Sequence, residues 1–241
     1  MMNLTGLTDR YVAVWNESDA NERRKRIRSL WAVDGTTCNR LQQARGYEAI
    51  ETRVVGSWDK WIREGKYRFR PMKSTSHHEI IEFNWAMEKV PTGEVDSTGL
   101  SFLVLNSSGT VQHDYQFSTS ANDAEELSEK YFAIWNEAKA DKRRQKIIDL
   151  WAADCVYQSH ASMKRGCEAL EAEVFEMHKT SVAKGRAFSP GGRSQSHHNV
   201  ARLSWTVQSN SQKSATSSGS DFLVLNEDGC IRFSYRFEDG A

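Results

Sequence analysis

Two histidines stand where an apolar face is expected, and imidazole is the side chain that moves protons near neutral pH. Ile50, Val54 and Trp58 recur at i, i+4 and i+8 on one helical face, and 120 residues further on the place of Trp58 is taken by His178. His197 lies in an alternating stretch on the same side as Trp205, so either imidazole is a candidate general base. Ser181 replaces Trp61 in the same comparison, which makes the later stretch the more polar and the roomier of the two. His197 and His198 are adjacent, and adjacent side chains on a strand diverge, so they do not form a metal pair. No Gly-rich phosphate loop is present. The chemistry expected is therefore acid/base chemistry without a cofactor or a metal.

What positions these residues is an internal repeat. Tyr11–Trp31 returns as Tyr131–Trp151, an offset of 131 − 11 = 120, which reads as ungapped to the end of both copies. Arg45-Gly46 matches Arg165-Gly166, His77-His78 matches His197-His198, and Trp85 matches Trp205. A period this long with two copies is a duplicated domain and not a solenoid. The expected boundaries are 1–118 for copy one, 119–124 for a linker and 125–241 for copy two.

Composition sets the class. The chain is 39% hydrophobic and 27% charged, with Lys+Arg and Asp+Glu both at 32, so no net field draws in nucleic acid or an anionic membrane. No apolar run approaches a membrane span. The first ten residues lack a secretory pattern. None of the four cysteines recurs at its partner position or forms a CxxC, which predicts reduced thiols and a cytoplasmic protein. Arg23, Arg24, Lys25, Arg26 and Arg28 read as a solvated helix face.

In each copy the periodicity runs from helical to alternating. Thr8–Glu17 reads as a helix, and Asp19 with Glu22 makes a capping box for a second helix reaching about Trp31. Asp34–Leu41 reads as a strand, and Gly46 opens a third helix that ends near Gly65. Strands are predicted over Tyr67–Met72, Ser76–Lys89, Thr98–Asn106 and Thr110–Phe117. Within Ser76–Lys89, alternation puts His77, Ile81, Phe83, Trp85 and Met87 on the covered face and His78 on the other. The matching residues His198 and Arg202 then serve packing between the halves. Ser118–Asp123 reads as the linker, with Asn122 or Asp123 capping the next helix, and Ser209–Ser220 as a loop. The class is α+β.

The order of these elements, with YVAVWNE, LWAVD, RGYEA, SHH and GLSFLVLNSSG each found twice in recognisable form, resembles the SnoaL-like polyketide cyclase family of the nuclear transport factor 2-like superfamily. The resemblance implies two tandem cone-shaped domains, each with three N-terminal helices packed on a curved antiparallel β-sheet around an apolar pocket. It also implies a fused pseudo-dimer, with further self-association left open. Members include isomerases, cyclases, hydrolases and proteins without catalysis, so fold does not settle function. Laid over the ketosteroid isomerase-like pattern, Tyr131 falls at the donor tyrosine and Asp221 at the acid of an oxyanion hole, a carboxyl kept protonated by its apolar surroundings. The proton-moving aspartate of that pattern is replaced by Ser159, or Asn39 in copy one, and His160 beside it is a weaker candidate. The cyclase acid falls at Arg236, or Gln116 in copy one, where Asp114 two residues earlier shares its side of the strand. The expectation is a C-terminal pocket with Tyr131, Asp221, His178 and His197 as catalytic groups. Trp205, Ser159, Ser181 and Phe222 would line it, and the ligand would be a small apolar molecule of polyketide or terpenoid type. The alternative is a non-catalytic binding or scaffolding protein of the same fold.

Overall fold

Leu7, Tyr11, Val14 and Trp15 fall on one helical stripe, and that stripe is what α1 (Leu7–Asn16) buries. The structure, a computed structural model, describes residues 6–118, 124–192, 194–209 and 215–239. The chain divides into two units, Met1–Ser120 and Ala121–Ala241. In the first unit Asp19 caps α2 (Ala20–Leu30), its carboxylate accepting from the N–H groups of Asn21 and Glu22 at 2.9 and 2.8 Å. The return arm of the predicted capping box is not made by Glu22. Glu17 accepts the Asp19 N–H at 3.0 Å, and Glu22 pairs with Lys25.

The basic run of α2 is spent within the unit. Arg24 pairs with Glu51, Arg26 pairs with Glu17, and Arg23 turns inward to donate to the Glu17 carbonyl at 2.7 Å. Arg23 is therefore buried, against the expectation of a wholly solvated face.

β1 (Trp31–Asn39) and β2 (Gln42–Arg45) form a hairpin. Gly46 then takes a φ of 77°, a left-handed turn open to glycine, and starts α3 (Gly46–Ser57), which buries Ile50 and Val54. The helix continues as a π-helical stretch over Trp58–Glu64. β3 (Tyr67–His77), β4 (Ile80–Lys89), β5 (Val95–Leu105) and β6 (Val111–Ser118) follow. The predicted strand Ser76–Lys89 is thus broken by a tight turn. His78 sits in it at φ 53°, while His77 pairs with Ile80 across the hairpin. Alternation cannot see a reversal of this kind, so the assignment of His78 to the far face of a strand fails.

The second unit repeats the order: α4 (Glu125–Trp135), α5 (Ala140–Leu150), β7 (Trp151–Gln158), β8 (Met163–Arg165), α6 (Gly166–Thr180), β9 (Arg186–Pro190), β10 (Gln195–His197), β11 (Val200–Ser209), β12 (Ala215–Leu225) and β13 (Ile231–Glu238). His198 turns the chain at φ 52°, as His78 does. The offset is not constant. Asn16 brackets the backbone of Phe69 with two hydrogen bonds, and Asn136 brackets that of Phe188, so the offset here is 188 − 69 = 119. The π-helical stretch of the first unit accommodates one residue more per turn than an α-helix, which accounts for the slip.

The sheet orders are β2-β1-β6-β5-β4-β3 and β10-β11-β12-β13-β7-β8, with β9 also on β11. All pairs are antiparallel except β1 with β6 and β7 with β13. The α+β layout, with helices preceding each sheet, is as expected. The loop expected over Ser209–Ser220 is shorter than predicted: Ala215 through Ser220 belong to β12. There Gly219 lies opposite Trp205, as Gly99 lies opposite Trp85 in the first unit. A Cβ at either glycine would run into the facing indole, so each glycine seats a tryptophan on the sheet. Residues 119–123, with the predicted linker and its caps, and residues 210–214 lie outside the described residues. Among the described residues no helix is long and apolar enough to cross a membrane.

Candidate functional site

Each unit buries a tyrosine from its first helix against the strands that follow β1 or β7, and the polar groups gathered there differ. In the first unit Tyr11, 2% exposed, donates from its hydroxyl to Asp114 Oδ2 at 2.8 Å. β1 supplies Thr37, whose Oγ1 donates to the same oxygen at 2.6 Å. β6 supplies Gln116, whose Nε2 donates to Tyr11 OH at 2.6 Å and to Asp114 Oδ2 at 3.2 Å. Ser101 on β5 donates to Tyr11 OH at 3.4 Å. Arg53 on α3 closes the group by donating from Nη2 to Gln116 Oε1. Asp114 and Gln116 share a face because they are two residues apart on one strand.

Three donors therefore converge on Oδ2 of Asp114, while Oδ1, also buried, has no hydrogen-bond partner among the described residues. Burial raises the carboxyl of Asp114 to about 6, against the opposing pull of the Thr37 hydrogen bond, the Arg53 charge and the Tyr11 and Gln116 bonds. Burial, helped by Asp114, pushes the Tyr11 phenol well above its ordinary value. The neighbouring Cys38 thiol is pushed up to about 12, first by burial and then by Asp114, so it is no nucleophile at neutral pH.

In the second unit the acid has changed strands. Asp221 on β12 is bound side-on by Arg236 of β13, Nε to Oδ1 at 2.8 Å and Nη2 to Oδ2 at 2.7 Å, with both side chains buried. The guanidinium lies 4.0 Å from the ring centre of Trp135 and within 5.6 Å of those of Tyr157, Phe188 and Trp205. Burial, the largest single influence, lowers the basicity of Arg236; the charge and hydrogen bonds of Asp221, with Tyr157 and Tyr131, together outweigh it and raise it. Tyr131 bonds with Ser234 Oγ at 3.2 Å.

Asp221 was expected to be a protonated donor beside Tyr131, and the structure corrects this. A carboxylate held by both oxygens on a guanidinium is an acceptor with no proton to give. The other predicted residues are dispersed. His197 ends β10 at the turn, and His178 is half-buried near the end of α6, with no partner for Nε2 among the described residues. Trp205 is buried against Phe188 and Arg236. Ser159 accepts the Ser162 N–H at 3.1 Å in the turn after β7, and His160 beside it is exposed. Ser181 ends α6, where its carbonyl accepts from Lys184. Phe222 pairs across the sheet with Arg202 and Tyr235, on the face opposite to Asp221, so the two do not line one space. Arg202 also donates to Ser204 at 3.1 Å.

The expected filling of the first unit by Trp58 and Trp61 takes another form. Arg23 and Arg63 lie over the Trp58 ring, and Trp61 packs edge-on against Tyr67 in the π-helical stretch. Sequence reasoning ranked Tyr11, Asp114 and Gln116 below their second-unit counterparts and missed Arg53 altogether. The available signal was the shared side of Asp114 and Gln116. No single position carried the charge exchange between the units. Among the described residues no group of three or more His, Cys, Asp or Glu is placed to hold a metal ion.

The sequence matches no family model and no curated relative. The solved structures it is similar to each span half of it. A protein assigned to the SnoaL-like family as an isomerase, from Agrobacterium tumefaciens, is 23% identical over 50% of this chain and 100% of that one, with a TM-score of 0.46. One named as a polyketide cyclase, from Sinorhizobium meliloti, is 15% identical over 48% and 96%, with a TM-score of 0.38. An NTF2-like protein of unknown function from an Exiguobacterium is 17% identical over 48% and 99%, with a TM-score of 0.39. What is similar is one half at a time. The chemistry has to come from the buried side chains of this chain.

Proposed function

We propose that the protein is a cofactor-independent enzyme of SnoaL-like type that moves a proton on a small, largely apolar carbonyl compound, and that the first unit does the work. One observation carries this reading: Asp114 is buried, raised to about 6, engaged on one oxygen and unpartnered on the other. A base titrating near the working pH is what general acid/base catalysis needs. Ionised Asp114 takes a proton from the carbon beside the carbonyl onto Oδ1, and the C–H electron pair forms the C=C bond of the enolate as the carbonyl π pair moves onto oxygen. Oδ1–H then returns the proton to the same or a neighbouring carbon. Tyr11, Thr37 and Gln116 hold the carboxylate in place and spread its charge while it is ionised.

The second unit is the unit that holds its fold or a ligand without proton transfer, since Asp221 and Arg236 neutralise each other. A cytoplasmic setting belongs to the same reading and is supported by four free cysteines. The test is deuterium incorporation into a panel of small ketones in heavy water, followed by proton NMR. Wild-type protein exchanges the protons beside the carbonyl, and Asp114→Asn does not. Exchange that persists in Asp114→Asn removes the proposal, and the non-catalytic binding reading takes its place.

A further inference from the structure

Beside Asp114, Arg53 is another polar group of the first unit whose bonding is incomplete. Its side chain points inward from α3 and is 7% exposed. Nη2 donates to Gln116, and the guanidinium sits 5.6 Å from the ring centre of Trp15. Nε and Nη1 are buried and have no hydrogen-bond partner among the described residues. A guanidinium out of water is heavily penalised unless an anion meets it. The acid on hand is Asp114, but the donors on its Oδ2 are Tyr11, Thr37 and Gln116, and among the described residues Arg53 forms no ion pair with it. Gln116 ties the two together: its carbonyl oxygen takes Arg53, and its amide nitrogen takes Asp114 and Tyr11. The orientation of that amide is therefore fixed, and with it the direction from cation to acid.

The second unit shows the same place without the demand. Glu173 stands for Arg53 and Ser234 for Asp114, and Arg236 meets the unit's own acid. Among the described residues, the first unit sets a buried cation with two unmet donors one amide away from a carboxyl oxygen that has no partner.

We propose that the first unit takes a small oxo acid, its carboxylate held by Arg53 and the C–H beside its carbonyl presented to Asp114 Oδ1. This rests on the reading of Asp114 as the proton-moving group and names the substrate class for it. The C–H bond breaks, the proton goes to Oδ1, and the electron pair becomes the enolate; the reverse transfer restores the ketone. Arg53 is a binding residue that anchors the end of the molecule that does not react.

The experiment compares 2-oxobutanoate and 4-oxopentanoate with their methyl esters on the full chain. Binding is read by calorimetry and by Trp fluorescence, and turnover by deuterium exchange. At least one of the acids binds about tenfold or more tighter than its ester. Arg53→Met brings it to the level of the ester, Arg53→Lys falls between, and Asp114→Asn abolishes exchange while the acid still binds. Circular dichroism checks that each variant folds. If Arg53→Met does not, weaker acid binding by folded Arg53→Lys decides the matter. Equal binding of acid and ester, or acid binding indifferent to Arg53, overturns the inference. In that event, ester exchange that needs Asp114 leaves the proton-moving role standing. Acid binding that needs Arg53 without exchange removes that role instead. A crystal structure showing a trapped water satisfying both Arg53 and Asp114 Oδ1, unchanged when the acids are added, also overturns it.

Discussion

The two units share a tyrosine on the first helix and a tryptophan one turn later, yet they place charge in opposite ways. In the first the acid is Asp114 on β6, flanked by the neutral amide Gln116, with its nearest cation one residue removed on α3. In the second the equivalents of Asp114 and Gln116 are Ser234 and Arg236, the acid has moved to Asp221, and cation and acid meet directly. The lesson is that a buried carboxyl is held ionised or left able to titrate according to whether its counter-charge touches it. Direct contact with a guanidinium fixes the ionised form, whereas hydrogen bonds from neutral donors leave a group that titrates. Duplication let one scaffold hold both outcomes.

The sharpest break of this comparison is at Asp114. Asp114→Asn lowers deuterium exchange by about 100-fold or more, the usual contribution of a positioned general base. Next in size is Asp221→Asn, which strands Arg236 among aromatic rings. The loss of stability is about 3–5 kcal/mol, the range for breaking a buried pair by removing one partner. Urea unfolding followed by hydrogen exchange places that loss in residues of the second unit. The double variant Asp221→Ser with Arg236→Gln, which copies the first unit's residues, loses less than the single one. If the double is the worse of the two, the pair is stabilising beyond its own neutrality.

A third prediction uses pH. The folded carboxyl of Asp114 is raised to about 6 from the ordinary value of 3.8. A raised acid favours the folded state while protonated, so its contribution is full below about 4 and is lost as pH rises through about 6. Two pH units correspond to about 3 kcal/mol. Asp114→Asn flattens the pH dependence of unfolding of the first unit over that window, and exchange activity in the wild type rises over the same window as the base ionises. A wild-type curve already flat from pH 4 to 7 would place the acid in ordinary solvent and reduce the contrast between the units.

Much of this fold is legible in the sequence because it is written twice. Helical stripes, the Arg-Gly starts of the third helices and the alternating strands each repeat, and two samples of one pattern suppress the noise of either. The turns at His78 and His198 were not legible, because a non-glycine residue in left-handed backbone leaves no composition signal. Nor was the slip to an offset of 119, since a π-helical residue looks like any other helical residue in a periodicity. The site was legible only by half. Comparing positions one at a time marks Ser101 against Asp221 as a gain of function in the second unit. Read together with Gln116 against Arg236, the same change is a gained ion pair, and the acid without a cation in contact is the one left behind.

The smallest effect concerns Tyr11 and separates positioning from chemistry. Its hydroxyl donates to Asp114 Oδ2, and that bond holds the acid's value down. Tyr11→Phe removes one of three donors and leaves the ring packed between Trp15, Trp31 and Phe83. The stability cost is about 1–2 kcal/mol, with Gln116 losing an acceptor as well. The carboxyl moves further up, so the rise of exchange with pH shifts to higher pH while its plateau falls by less than in Asp114→Asn. Tyr131→Phe in the second unit, where the hydroxyl meets only Ser234 among the hydrogen bonds described, costs stability and leaves that rise where it was. An equal shift from both variants would mean that the two tyrosines report on the chain as a whole. A shift from Tyr11 alone ties the titration to the unit whose acid has no cation in contact.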